Sequence, residues 1–105
     1  MNGKTLITLP WPRSIPVGGK VLTVKQVPNL IRDEGACGTC CMNRLEICID
    51  ADMLPINKTE ALMHEQFEAF NRTWLAGALS HEDITRLGEA MTQSLIGMGI
   101  EIDWS

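Results

Sequence analysis

Met63, Phe67, Phe70 and Trp74 recur at i, i+4, i+7 and i+11, a spacing that puts four large apolar side chains on one stripe of a helix. Asn57-Lys58-Thr59-Glu60 precedes the stripe in the form of a capping box, with Asn57 as N-cap and Glu60 three residues on, so the helix is expected to start there. Gly77 can end it. Ser80 and Asp83 form a second box-like start, followed by the stripe Ile84, Leu87, Met91 and Leu95, and Gly97 and Gly99 stop that second helix.

The half of the chain before these helices carries no such period. Residues 4 to 9 alternate weakly and run into Leu9-Pro10-Trp11-Pro12, whose prolines force an extended passage. Residues 1–19 thus read as an N-terminal arm or edge strand, and residues 20–105 as one domain. After the Gly18-Gly19 turn, residues 20–27 are rich in β-branched side chains and predict a strand closed by Pro28. Residues 29–38 read as irregular, with bends at Gly35 and Gly38. Two further strands flank Asn43-Arg44, read as a two-residue hairpin connection. Alternation then points Cys40, Met42, Leu45, Ile47 and Ile49 to the core, and Cys41, Glu46, Cys48 and Asp50 away from it. The tail, residues 100–105, alternates and predicts a short extended piece.

With 105 residues, 45% of them hydrophobic, there is room for one core and no second. A net charge of −4 with nine scattered basic residues gives no footprint for a phosphate backbone, so nucleic acid is not an expected partner. No apolar run is long enough to cross a bilayer and no signal peptide is evident, which predicts a soluble, cytoplasmic protein with reduced thiols. Cys37-x-x-Cys40 opens like a zinc knuckle, and Cys41 and Cys48 can complete a weak second metal site. The alternative is that all four are small buried or partly exposed thiols.

His64-Glu65-Gln66-Phe67-Glu68 carries the chemistry. On a helix His64 and Glu68 project from one stripe, and His81, the other histidine of the chain, opens the second helix. Two imidazoles and one carboxylate with a fourth position left to water make a catalytic zinc set, and Glu65 falls beside it as a candidate general base. A neutral His81 is favoured by its place at a helix N-terminus.

From Val21 to Leu95 the chain resembles the very small gluzincin-like metallopeptidase domains of about one hundred residues that are common in bacterial and phage genomes. The resemblance rests on the strand Val21-Leu22-Thr23-Val24-Lys25, the hairpin ending Ile47-Cys48-Ile49-Asp50, the helix bearing His64-Glu65-x-x-Glu68, and Leu79-Ser80-His81 opening the next helix. Where those domains carry His-Glu-x-x-His and a glutamate on the second helix, this chain has Glu68 and His81, an exchange that keeps two imidazoles and one carboxylate. The resemblance implies an α+β fold, with a small, mainly antiparallel sheet packed against two helices. It also implies Zn2+ at His64, Glu68 and His81, and a peptide laid extended along the sheet edge. Glu65 would take the proton of the attacking water and pass it to the leaving nitrogen. The alternative is a catalytically inactive zincin-like module that binds a host or partner protein. A third reading has no metal at all.

Overall fold

The structure, a computed structural model, describes residues 5–105. The beginning of the expected arm, through residue 4, lies outside them. Nine elements follow in order: β1 (Ile7–Pro10), β2 (Ser14–Val17), β3 (Lys20–Val27), α1 (Leu30–Glu34), β4 (Gly38–Cys41), β5 (Glu46–Asp50), α2 (Pro55–Trp74), α3 (His81–Gly97) and β6 (Ile100–Asp103). The main sheet has the order β2-β3-β5-β4, with β3 and β5 parallel and the other two pairings antiparallel. The fold is α+β, as the resemblance implies.

Gly18 and Gly19 both take positive φ, 58° and 81°, which is what a tight hairpin between β2 and β3 requires. Pro16 lacks an N–H and is accommodated because β2 is an edge strand. Residues 14–17 are therefore part of the main sheet, while β1 pairs in parallel with β6 as a separate two-stranded ribbon. The ribbon is tied to the core by Trp104, which stacks on Trp11 with ring centroids 5.8 Å apart and donates its indole N–H to the Thr59 hydroxyl at 3.0 Å.

Leu22 and Val24 of β3 and Ile47 and Ile49 of β5 are buried with Leu62 and Ala69 of α2. The hairpin register is the expected one, Cys41 opposite Glu46 and Cys40 opposite Ile47, but pairing stops there and residues 42–45 form a four-residue turn with Leu45 at φ 54°. Asp50, expected to point away from the core, is buried. Its carboxylate accepts the N–H groups of Ile31 and Asp52, each at 2.7 Å, and so anchors the start of α1, a short helix where the sequence reads as irregular.

Both helices are rotated from the face their large apolar residues suggest: Met63 and Phe70 are only partly buried against the core, and Ile84 alone of the α3 stripe is fully buried. The buried line of α2 includes Lys58, Leu62, Glu65 and Ala69, and that of α3 is Ile84, Gly88 and Thr92. Trp74 is 67% exposed, Leu87 40% and Met91 39%. Small residues explain the shift. A Cβ on Gly38 would lie 3.1 Å from Glu65 Cγ, and a Cβ on Gly88 would lie 3.2 Å from His64 N, so the closest approaches run through glycines and the large side chains flank them. Nor is Asn57 the N-cap of α2. The helix begins earlier, at Pro55 with Leu54 as N-cap, because proline at the first position has the right φ and no N–H to satisfy.

Candidate metal centre

One turn apart on α2, His64 and Glu68 share a face, and α3 brings His81 to them. His64 Nε2 and His81 Nδ1 each lie 3.7 Å from Glu68 Oε2, and one ligand atom from each of the three residues falls within 4.8 Å of the others. The imidazoles meet edge to face with centroids 5.0 Å apart. This arrangement can hold a metal ion.

The return of His81 depends on how α2 ends. The helix stops at Trp74, Ala76 and Gly77 turn the chain at φ 51° and 76°, and the Gly77 N–H reaches back to the Asn71 carbonyl at 2.9 Å. The buried Asn71 amide then clamps Leu79, donating to its carbonyl at 3.1 Å and accepting its N–H at 3.0 Å. Next, Ser80 caps α3 through the expected box with Asp83, at 3.1 and 3.2 Å. His81 is thereby fixed as the first residue of α3, although its side chain is 76% exposed.

Contacts of 3.7 Å are too long for hydrogen bonds. Burial pulls the His64 pKa below its ordinary value, His81 adds to the effect and Glu68 opposes it, so the neutral, metal-binding imidazole is favoured. Zinc held about 2.1 Å from tetrahedral ligands would set them about 3.4 Å apart, close to the 3.7 Å of both contacts to Glu68, and the third pair lies within 4.8 Å. Two imidazoles and a carboxylate are also a donor set that suits zinc.

Glu65 faces the sheet rather than bordering it, 8% exposed and packed on Gly38 of the edge strand β4. Burial pushes its carboxyl up to about 7, with Glu68 adding and Arg72 opposing. A carboxyl poised there can exchange a proton near neutral pH. It lines, together with the three candidate ligands, a cleft of about 720 Å³ that runs to the start of β4. Because the Cys37 carbonyl accepts the Asp50 N–H, strand alternation turns the backbone N–H and C=O of Gly38 and Cys40 to the outer edge of β4. Arg72, one turn past Glu68, donates to the Cys40 carbonyl at 3.3 Å.

No protein-family model, curated protein or solved structure matches this chain.

The four cysteines do not assemble into a second centre: among the described residues the one group of three that gathers is His64, Glu68 and His81. Neighbours in a strand face opposite ways, so Cys40 packs against the core while Cys41 lies on the other side. Burial pushes the Cys40 thiol up to about 11, which disfavours the thiolate a metal needs. Cys37 is exposed and Cys48 half-buried. Sequence reasoning missed two acidic residues of the cleft, Glu60 and Glu89. Their spacing, four before His64 and eight after His81, was the available signal. Among the described residues no helix is long and apolar enough to cross a membrane.

Proposed function

We propose that this protein is a minimal zinc-dependent metallopeptidase, with Zn2+ held by His64, Glu68 and His81 and with Glu65 as general base. The observation that carries this reading is the convergence of those three side chains from two helices beside a buried, unpaired carboxyl. Bound zinc supplies Lewis-acid polarisation of a carbonyl and lowers the pKa of a coordinated water. Glu65 accepts the proton of the attacking water and returns it to the leaving nitrogen, a task suited to a group with a pKa near 7. The outward N–H and C=O groups of Gly38 and Cys40 pair with an extended peptide, which adds as a strand to β4. Glu65 packs on the face of β4 at Gly38, where no side chain screens it from that edge. Arg72, held at the same edge, is a candidate donor for the developing oxyanion.

Metal analysis on protein purified without a histidine tag tests the reading. One zinc per chain is expected, lost in His64→Ala and in His81→Ala with the fold retained. Glu65→Gln should keep the zinc and lose hydrolysis of a peptide library. Zinc absent from the unaltered protein sinks the proposal. Zinc retained with no hydrolysis by either protein, together with capture of a partner by both, favours the binding module.

A further inference from the structure

The cleft beside the three candidate ligands is lined by Glu60, Glu65, Glu68 and Glu89, and by no lysine or arginine. The chain as a whole has nine basic residues against thirteen acidic, so this one-sided lining is not a reflection of composition. Two rows build it. Glu60, His64 and Glu68 follow at four-residue intervals on α2, and His81, Thr85 and Glu89 do so on α3. Because Glu68 meets His81 at one end and Gly88 packs on His64 further along, Glu89 comes level with the His64 turn. Glu60 lies one turn beyond His64, about 6 Å along the axis. Both carboxylates are exposed, and among the described residues neither takes part in an ion pair.

A second observation points to a ligand in this cleft. Glu65 is 8% exposed, lines the cleft, and has no hydrogen-bond partner among the described residues. A carboxyl that lines a cleft without a partner inside the protein is open to a group that enters from outside. A divalent ion would balance the charges of Glu68 and Glu65, leaving those of Glu60 and Glu89 over. An extended peptide advances about 3.3 Å per residue, so one or two residues span the distance from the ion to the Glu60 turn.

We propose that Glu60 and Glu89 form a subsite for a cationic group of the substrate, an ammonium or guanidinium carried one or two residues from the scissile bond. The cleft then selects peptides with a basic side chain or a free amino terminus at that position. The inference rests on the metallopeptidase reading for the place of the scissile bond. Charges of one sign within a cleft focus the field on an incoming cation, and added salt screens it over about 8 Å at physiological ionic strength.

Three hydroxamates test it on the zinc-loaded protein by titration calorimetry. Nα-acetyl-lysine hydroxamate carries the side-chain cation, norleucine hydroxamate the terminal one, and Nα-acetyl-norleucine hydroxamate neither. One of the two cationic probes should bind about tenfold more tightly than the neutral one, which also identifies the source of the cation. The preference should vanish in Glu60→Gln/Glu89→Gln, and Glu89→Lys should turn it toward Nα-acetyl-glutamate hydroxamate. Equal binding of all three probes, or a preference that survives the double substitution, overturns the subsite while zinc uptake still stands. Failure to take up zinc overturns both readings.

Discussion

Gly88→Ala sets two effects of known sign against each other at the contact that positions the candidate metal centre. A methyl group there would lie 3.2 Å from His64 N, 3.3 Å from its Cα and 3.5 Å from its Cβ. Carbon contacts ordinarily settle at about 3.5 to 4.0 Å. The nearest atoms belong to the α2 backbone and cannot rotate aside, so relief requires α3 to move away by a few tenths of an ångström. Alanine gains about 1 kcal/mol over glycine in helix propensity. Overpacking costs about 1 to 3 kcal/mol, and a clash with rigid backbone belongs in the upper half of that range. The net expectation is a loss of about 1 kcal/mol in urea unfolding. Gly97→Ala is the internal control: nothing lies within 4 Å of its Cβ, so it should be neutral or slightly stabilising. The same displacement carries His81 away from Glu68, whose 3.7 Å separation must shorten around an ion. Zinc affinity by chelator competition should fall about tenfold, as when a group supporting a ligand is lost. If Gly88→Ala instead gains the full propensity term with zinc affinity unchanged, the helices are not in the contact that this reasoning needs.

Asn71→Ala removes both clamps on Leu79 and should cost about 2 kcal/mol in unfolding free energy and weaken zinc binding; an unchanged affinity would mean that the loop holds His81 without it. Glu65→Gln should stabilise the chelator-treated protein by about 1 to 3 kcal/mol near pH 8, because it replaces a buried, unpaired carboxylate with a neutral amide, and destabilisation would show a partner for that group. The Ile31 and Asp52 N–H groups hold the Asp50 carboxyl below the usual carboxylate range. A depressed folded-state pKa gives stability that is present above the unfolded value and lost as pH falls through the folded one. Asp50→Asn should therefore flatten the acid limb of a stability–pH curve below about pH 4, and an unaltered limb would contradict the assignment.

Short-range signals in the sequence located nearly every element, and long-range contact decided what they face. The strand over Lys20–Val27, the β4–β5 register and the Ser80–Asp83 cap were all legible because each is set by neighbours within a few residues. So was the pairing of His64 and Glu68, since helical spacing places them together, whereas the return of His81 depends on the turn after α2. The rotation of α2 was not legible: it follows from Gly38 and Gly88, whose partners are distant in sequence. That rotation is why Glu65 is buried on β4 and why Trp74 is left outside. The helix α1 was hidden for a related reason, as its start is held by Asp50 and Asp52 from another strand and the turn after it rather than by its own cap. The four clustered cysteines show the converse, since closeness in sequence is undone when adjacent residues of a strand face opposite ways.

The three candidate ligands differ in how they are tethered, and this would give the exchange of an ion a sequence of events. His64 and Glu68 stand one turn apart on a continuous helix. His81 sits at the rim on the opening residue of a separate helix, tied back through the Asn71–Leu79 clamp. Were an ion bound, capture would begin at the helical pair and be completed by His81, and release would reverse this order. The lifetime of such a bound state would accordingly be governed by the loop that carries His81, and selectivity among ions by the helical pair.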